Sequence, residues 1–166
     1  MNSFFLIGCS DSDSQKDISQ HQTSSQPADQ NSLMDQNQSS QLIESEESDM
    51  IIATINGKEF TIILNESRAA QEFKELLPLM IEMDDVNGNE KYQVLDKKFT
   101  TNEQKVNNIQ AGDLKLWSGN GLVLFYKSFS SAYSYTDLGS MQDTSGLSDV
   151  LTNGTVSITF TNPEVR

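Results

Sequence analysis

Cysteine and histidine occur once each in this 166-residue chain, as Cys9 and His21, and arginine twice, as Arg68 and Arg166. A single cysteine excludes a disulfide within the chain and leaves its thiol modified, buried or reactive. With no histidine after His21 and no cysteine after Cys9, the rest of the chain holds no Ser–His or Cys–His nucleophile and no zinc ligand set. Basic residues are scarce as well: 11 Lys and Arg stand against 24 Asp and Glu, a net charge of −13. Phosphate contacts need clustered Lys and Arg, so nucleic acid is not expected as a partner. No glycine-rich phosphate loop is present either, since Gly119, Gly121, Gly139 and Gly146 fall at turns. Asp84 and Asp85 are neighbours on one turn, and adjacency alone does not make an acid–base pair.

The lone cysteine ends the run Phe4-Phe5-Leu6-Ile7-Gly8-Cys9. A short apolar stretch, a small residue and a cysteine form the layout of a bacterial lipobox, in which the thiol takes a lipid. Eight residues precede Cys9 and none is Lys or Arg, whereas a secretory signal carries a basic n-region before its apolar core. The lipobox reading therefore treats residues 1–9 as a truncated signal segment. The alternative is a buried free cysteine in a small hydrophobic cluster. Residues 10–49 read as a disordered linker rich in Ser, Gln, Asp and Asn, with nine acids and one lysine over residues 1–49. So polar a segment cannot bury enough apolar area to offset its ordering entropy, and as a flexible coil it would reach roughly 35 Å. His21 is a solvated linker residue on this reading. The expected location is the bacterial cell envelope, lipid-anchored through Cys9 and facing outward from the cytoplasmic membrane.

Residues 50–166 read as the folded domain. Ile51–Ile55 and Phe60–Leu64 flank Asn56-Gly57, the strongest short hairpin signal because both turn positions tolerate positive φ. Asn65 or Ser67 can cap a helix over Ser67–Leu77, with Ala69, Ala70, Phe73, Leu76 and Leu77 at helical spacing and Pro78 as its stop. Leu79, Ile81 and Met83 alternate with polar or flexible neighbours as in a half-buried strand. The acidic stretch Asp84–Glu90 invites a calcium loop, but aligning Gly88 puts Met83 and Val94 at ligand positions, and neither offers an oxygen. It reads as a turn, with no metal and no cofactor implied. A second hairpin joins Leu114–Trp117 to Leu122–Tyr126 through Ser118-Gly119-Asn120-Gly121. Its second arm is almost wholly apolar and belongs in the middle of a sheet. Tyr133, Tyr135, Leu138 and Met141 mark another strand, followed by a short helix over Gly146–Leu151 and an alternating strand over Thr155–Phe160. Strands, tight turns and two short helices predict a mainly β fold, a closed or nearly closed barrel with helices at its ends.

From about Ile52 to Phe160 the sequence resembles the bacterial cyclophilin-like domains. The resemblance is carried by Asp85-Val86-Asn87-Gly88-Asn89-Glu90-Lys91-Tyr92, by Ala111-Gly112-Asp113-Leu114, and by Leu122–Phe129 leading into Tyr133-Ser134-Tyr135-Thr136-Asp137-Leu138-Gly139. It implies an eight-stranded cyclophilin-type β-barrel with two helices. Asp137 departs from the family pattern, which carries a basic residue there. True cyclophilins isomerise the bond before proline, whose barrier is ~18–20 kcal/mol, with an arginine on an early strand. That strand should fall near Glu90–Phe99, where this chain has no arginine. Lys91 is the nearest cation, Tyr135 stands where the family's rim histidine would be, and Phe125 keeps the phenylalanine of the central strand.

Two functions follow as expectations. The first is a non-catalytic module, membrane-tethered, that binds a peptide, protein or small molecule near one barrel mouth. Its candidate binding residues are Trp117, Tyr126, Phe129, Tyr133, Tyr135 and Lys91, since aromatics combine apolar area with a polar handle. The second is a weak prolyl isomerase or folding helper that uses Lys91 or a hydroxyl in place of arginine, a poor substitution for a planar, bidentate donor.

Overall fold

The computed structural model describes residues 49–151 and 153–164. Cys9, His21 and the linker up to residue 48 lie outside the described residues. The chain builds eleven strands and two helices in this part. β1 (Met50–Ile55) and β2 (Lys58–Leu64) form the expected hairpin, with Asn56 and Gly57 at φ 49° and 79° in its turn. β3 (Leu79–Val86) and β4 (Glu90–Val94) form a second hairpin through Asn87 and Gly88, at φ 54° and 68°. The acidic stretch is thus a β-turn, in which the Asp85 carboxylate accepts from the Gly88 N–H at 3.0 Å. Among the described residues no group of three or more His, Cys, Asp or Glu could hold a metal ion. β7 (Asp113–Trp117) and β8 (Gly121–Phe125) form the third hairpin. β10 (Ser134–Met141) and β11 (Val156–Thr161) complete the long strands.

The antiparallel order β2-β1-β11-β3-β4-β8-β7-β10 closes on itself through β10–β2 pairing, giving an eight-stranded barrel with no free edge between these strands. Closure runs through Gly139, which pairs with Leu64 of β2 and, past a register shift after Asp137, with Leu114 of β7. Its φ is 150°, and a Cβ there would run into the Ile63 carbonyl oxygen. Only glycine serves at this seam.

α1 (Arg68–Lys74) starts where Ser67 Oγ accepts from the Ala70 N–H at 3.2 Å. The spacing predicts a helix to Leu77, but the regular turns end at Lys74. The Leu76 and Leu77 N–H groups then bond three residues back, to Phe73 and Lys74, since a residue before proline avoids the helical region. α1 joins the end of β2 to the start of β3, while α2 (Leu147–Val150) precedes the start of β11, so the helices stand at opposite ends of the strands. Ala69, Ala70 and Phe73 of α1 and Leu147 of α2 all enter the main core. Phe73 meets Phe160 edge to face, with centroids 5.5 Å apart, a contact worth about 0.5–1.5 kcal/mol beyond its area.

All five residues of β8 are buried, for a reason that patterning alone does not supply. Leu122 and Leu124 belong to the main core, while Val123 and Phe125 belong to a second, smaller cluster with Ile109 and Tyr135. This outer layer is built from short pieces: β5 (Gln104–Lys105) on β10, and β6 (Asn108–Ile109) paired with β9 (Phe129–Ser130). The barrel wall at β8 is therefore covered on both sides.

Candidate functional site: an aromatic groove on the outer wall

Register decides which residues meet here. Lys91 lies opposite Leu124 and Tyr92 opposite Val123 on neighbouring strands β4 and β8. Successive side chains of a strand point to opposite faces, so Lys91 shares the inner face with Leu124. Tyr92 shares the outer face with Val123.

On that outer face lies a groove of about 270 Å³. Four aromatic side chains line it: Tyr92, Trp117, Tyr133 and Tyr135. Val123 lies between them, and the β3–β4 hairpin supplies Val86, Asn87 and Glu90 at one end. The Tyr92 ring covers Gly121, where a Cβ would come within 2.6 Å of Cε2 and 2.8 Å of the phenol oxygen. The missing side chain at Gly121 is thus what lets the ring lie down against β8. Tyr92 also meets Trp117 edge to face at 6.2 Å, so the two rings form a corner. Trp117 ends β7 and stays 46% exposed, and Tyr133, in the connection before β10, is 66% exposed. Tyr135 sits where β10 pairs with β5, its ring at 90° to Phe125 and 5.5 Å away.

The groove's electrostatics are one-sided. Glu90 is its charged group, and neither lysine nor arginine lines it. Burial, and after it the charge of Asp85, holds the Glu90 carboxyl above its ordinary pKa. Burial also pushes the Tyr135 phenol up, and the Glu90 charge adds to this.

The expected site residues divide between the two faces. Trp117, Tyr133 and Tyr135 line the groove. Phe129 lies behind it, tilted against Phe125 at 5.7 Å, and the buried Phe125 supports the wall from beneath. Lys91 and Tyr126 are elsewhere. Lys91 is fully buried, with Nζ 2.8 Å from Asp85 Oδ2 and donating to the Gly154 carbonyl at 2.7 Å. The Tyr126 hydroxyl donates to the same Asp85 oxygen at 2.7 Å, and its ring lies 5.5 Å from Lys91 Nζ. The Lys91 hydrogen bond, joined by that of Tyr126, holds the Asp85 carboxyl below its ordinary range against the opposing effect of burial. Burial, then the bond to Asp85, pushes the Tyr126 phenol up to about 12. This trio braces the inner side of the wall that carries the groove.

The groove lies on the outer face of the barrel wall, over β4 and β8. Glu90 and Tyr92 were not among the sequence candidates. Their signal is the alternation Glu90-Lys91-Tyr92, which acquires direction only once β4 is in register with β8.

The cyclophilin-like family matches residues 53–161. In three dimensions the chain is similar to a hypothetical protein of Archaeoglobus fulgidus determined in solution. The TM-score is 0.50 at 18% identity, over 69% of this chain and 95% of that one, a likeness of fold alone. No curated protein matches the sequence. With the family match running from β1 through β11 of the closed barrel, the chain belongs to the cyclophilin-like family.

Proposed function

We propose that this cyclophilin-like domain is a non-catalytic binding module, tethered to the outer side of a bacterial membrane through a lipid on Cys9, and that its ligand occupies the outer-wall groove. The observation that carries the binding role is the convergence of four aromatic side chains on one concavity without a basic group among them. Ligand sites are typically concave and mostly apolar, with a few placed polar groups. Against catalysis stands the outward set of β4, which is Glu90, Tyr92 and Val94. No donor of the kind that polarises a prolyl nitrogen is among them. Lys91, the candidate substitute, faces inward with its ammonium occupied by Asp85 and Gly154. An isomerase reading would therefore rest on neutral donors of the groove, such as a tyrosine hydroxyl.

Turnover of a proline-containing tetrapeptide by the full chain tests this. The expected rate equals the uncatalysed one. An acceleration that disappears in Tyr135→Phe would replace the binding role with an isomerase. Incorporation of labelled palmitate in a bacterial host, lost in Cys9→Ser, checks the tether; equal labelling of both chains would remove it.

A further inference from the structure

We infer that the groove recognises a quaternary ammonium group, held against the faces of Tyr92, Trp117 and Tyr133 with Glu90 as its counter-charge. The inference rests on the groove being a ligand site and names the chemistry that the site takes.

Three observations converge on it. The lining combines four aromatic rings with one carboxylate and excludes cations. An aromatic face carries partial negative charge and attracts a weakly hydrated cation, and desolvation strengthens the attraction. The Tyr92–Trp117 corner, at 69° between ring planes, presents two such faces to one space. Tyr133 stands exposed on the rim, where a neutral aromatic residue would ordinarily be covered.

Glu90 supplies the second line of argument. Among the described residues no side chain pairs with its carboxylate, although the group is partly buried and lies near the charge of Asp85. The contrast with Asp85 is direct: that carboxylate has Lys91, Tyr126 and the Gly88 N–H. A half-buried carboxylate with no protein partner is incompletely solvated, and a bound cation would supply the missing counter-charge. Burial raises the Glu90 carboxyl, and the charge of a bound cation would act against that rise. A primary ammonium would also be attracted, but it gives up more hydration on entering. The aromatic walls therefore favour the methylated form.

The full chain reports on its own site, since Trp117 is its only tryptophan. Trp117 emission is followed during titration with choline, with N-acetyl-trimethyllysine methyl ester, and with 3,3-dimethylbutanol, the uncharged carbon counterpart of choline. We expect a saturable change with a cation at affinity about tenfold above the neutral probe. We also expect Glu90→Gln to remove most of that ratio. Tyr133→Ala, at an exposed position, should weaken both cations several-fold. A preference seen with choline supports a free small molecule as source, and one seen only with the lysine derivative supports a methylated side chain. Equal binding of 3,3-dimethylbutanol would overturn the charge recognition and keep a binding groove. Silence with all three probes, confirmed by calorimetry, would overturn both.

Discussion

Lys91 Nζ and the Tyr126 hydroxyl meet the same oxygen of Asp85, at 2.8 and 2.7 Å. One carboxylate thus joins the β3–β4 hairpin to the residue that follows β8, and the Lys91 bond to Gly154 reaches the segment before β11. A buried charge pair is sensitive to removal of one member, because the other is left uncompensated. Lys91→Ala is expected to lower unfolding free energy by about 3–5 kcal/mol. Tyr126→Phe, which removes one bond to a charged acceptor, should lower it by about 1.5–3 kcal/mol. Urea unfolding followed by Trp117 emission measures both. Neither residue faces the groove, so in Tyr126→Phe binding of the probes above should persist at temperatures where the variant is folded.

The same trio predicts pH dependence at both ends of the scale. The folded Asp85 carboxyl titrates below its ordinary value, so the folded state binds that proton less readily than the unfolded one. Its contribution is complete above the ordinary carboxylate range, near pH 4, and is lost as pH falls through the lower folded value. Tyr126 runs the other way. Its folded phenol is raised from 10 to about 12, and the stability tied to its proton is lost as pH climbs across that window. Melting temperatures of wild type and Tyr126→Phe should fall in parallel up to pH 10. Above it the wild type should fall more steeply. Parallel curves throughout would contradict the assignment.

Glu90 offers a test of a different kind, since its folded carboxyl is raised. A raised carboxyl favours folding only while protonated, and ionisation near neutral pH costs stability. Glu90→Gln is therefore expected to melt higher than wild type at pH 7, with the advantage shrinking as pH falls through the raised folded value and gone below the ordinary carboxylate range. A side chain that destabilises its own fold and borders a groove has the profile of a residue kept for binding. A lower melting point at pH 7 would show that the carboxylate is structural.

Two glycines separate packing from site. Gly139→Ala forces a Cβ into the Ile63 carbonyl at the barrel seam and is expected to cost more than 3 kcal/mol, at the upper end of single substitutions. Gly121→Ala meets the movable Tyr92 ring. It should cost about 1–3 kcal/mol as overpacking and displace that ring from the Trp117 corner. The readable consequence is a shifted Trp117 emission in the folded state and weaker binding of choline. Unchanged emission would place the strain elsewhere.

Much of the barrel is legible in the sequence because its signals are local. Asn56-Gly57 specifies one hairpin and Ser118–Gly121 another, Ser67 caps α1, and the apolar run Leu122–Phe125 marks a strand covered on both faces. β5, β6 and β9 are two residues each, too short for periodicity to register, and they belong to the outer layer of the barrel. The site is less legible for the same physical reason that strands alternate. Lys91 looks like a surface cation until Asp85 and the distant Gly154 carbonyl draw it inside. That inward turn in β4 sends Glu90 and Tyr92 outward. Facing is a property of register, and register here depends on pairing β4 with β8 across some thirty residues of sequence.

The antiparallel pairing of β1 with β11 also fixes the end of the barrel at which the first and last strands of the fold terminate. Ile52 stands opposite Thr161, so the first strand begins and the last one ends at the α1 end of the strands. Val86, Asn87 and Glu90 occupy the far end, beyond the pairing of Met83 with Val156. The acidic end of the groove therefore lies at the end of the strands opposite the one where β1 begins and β11 finishes.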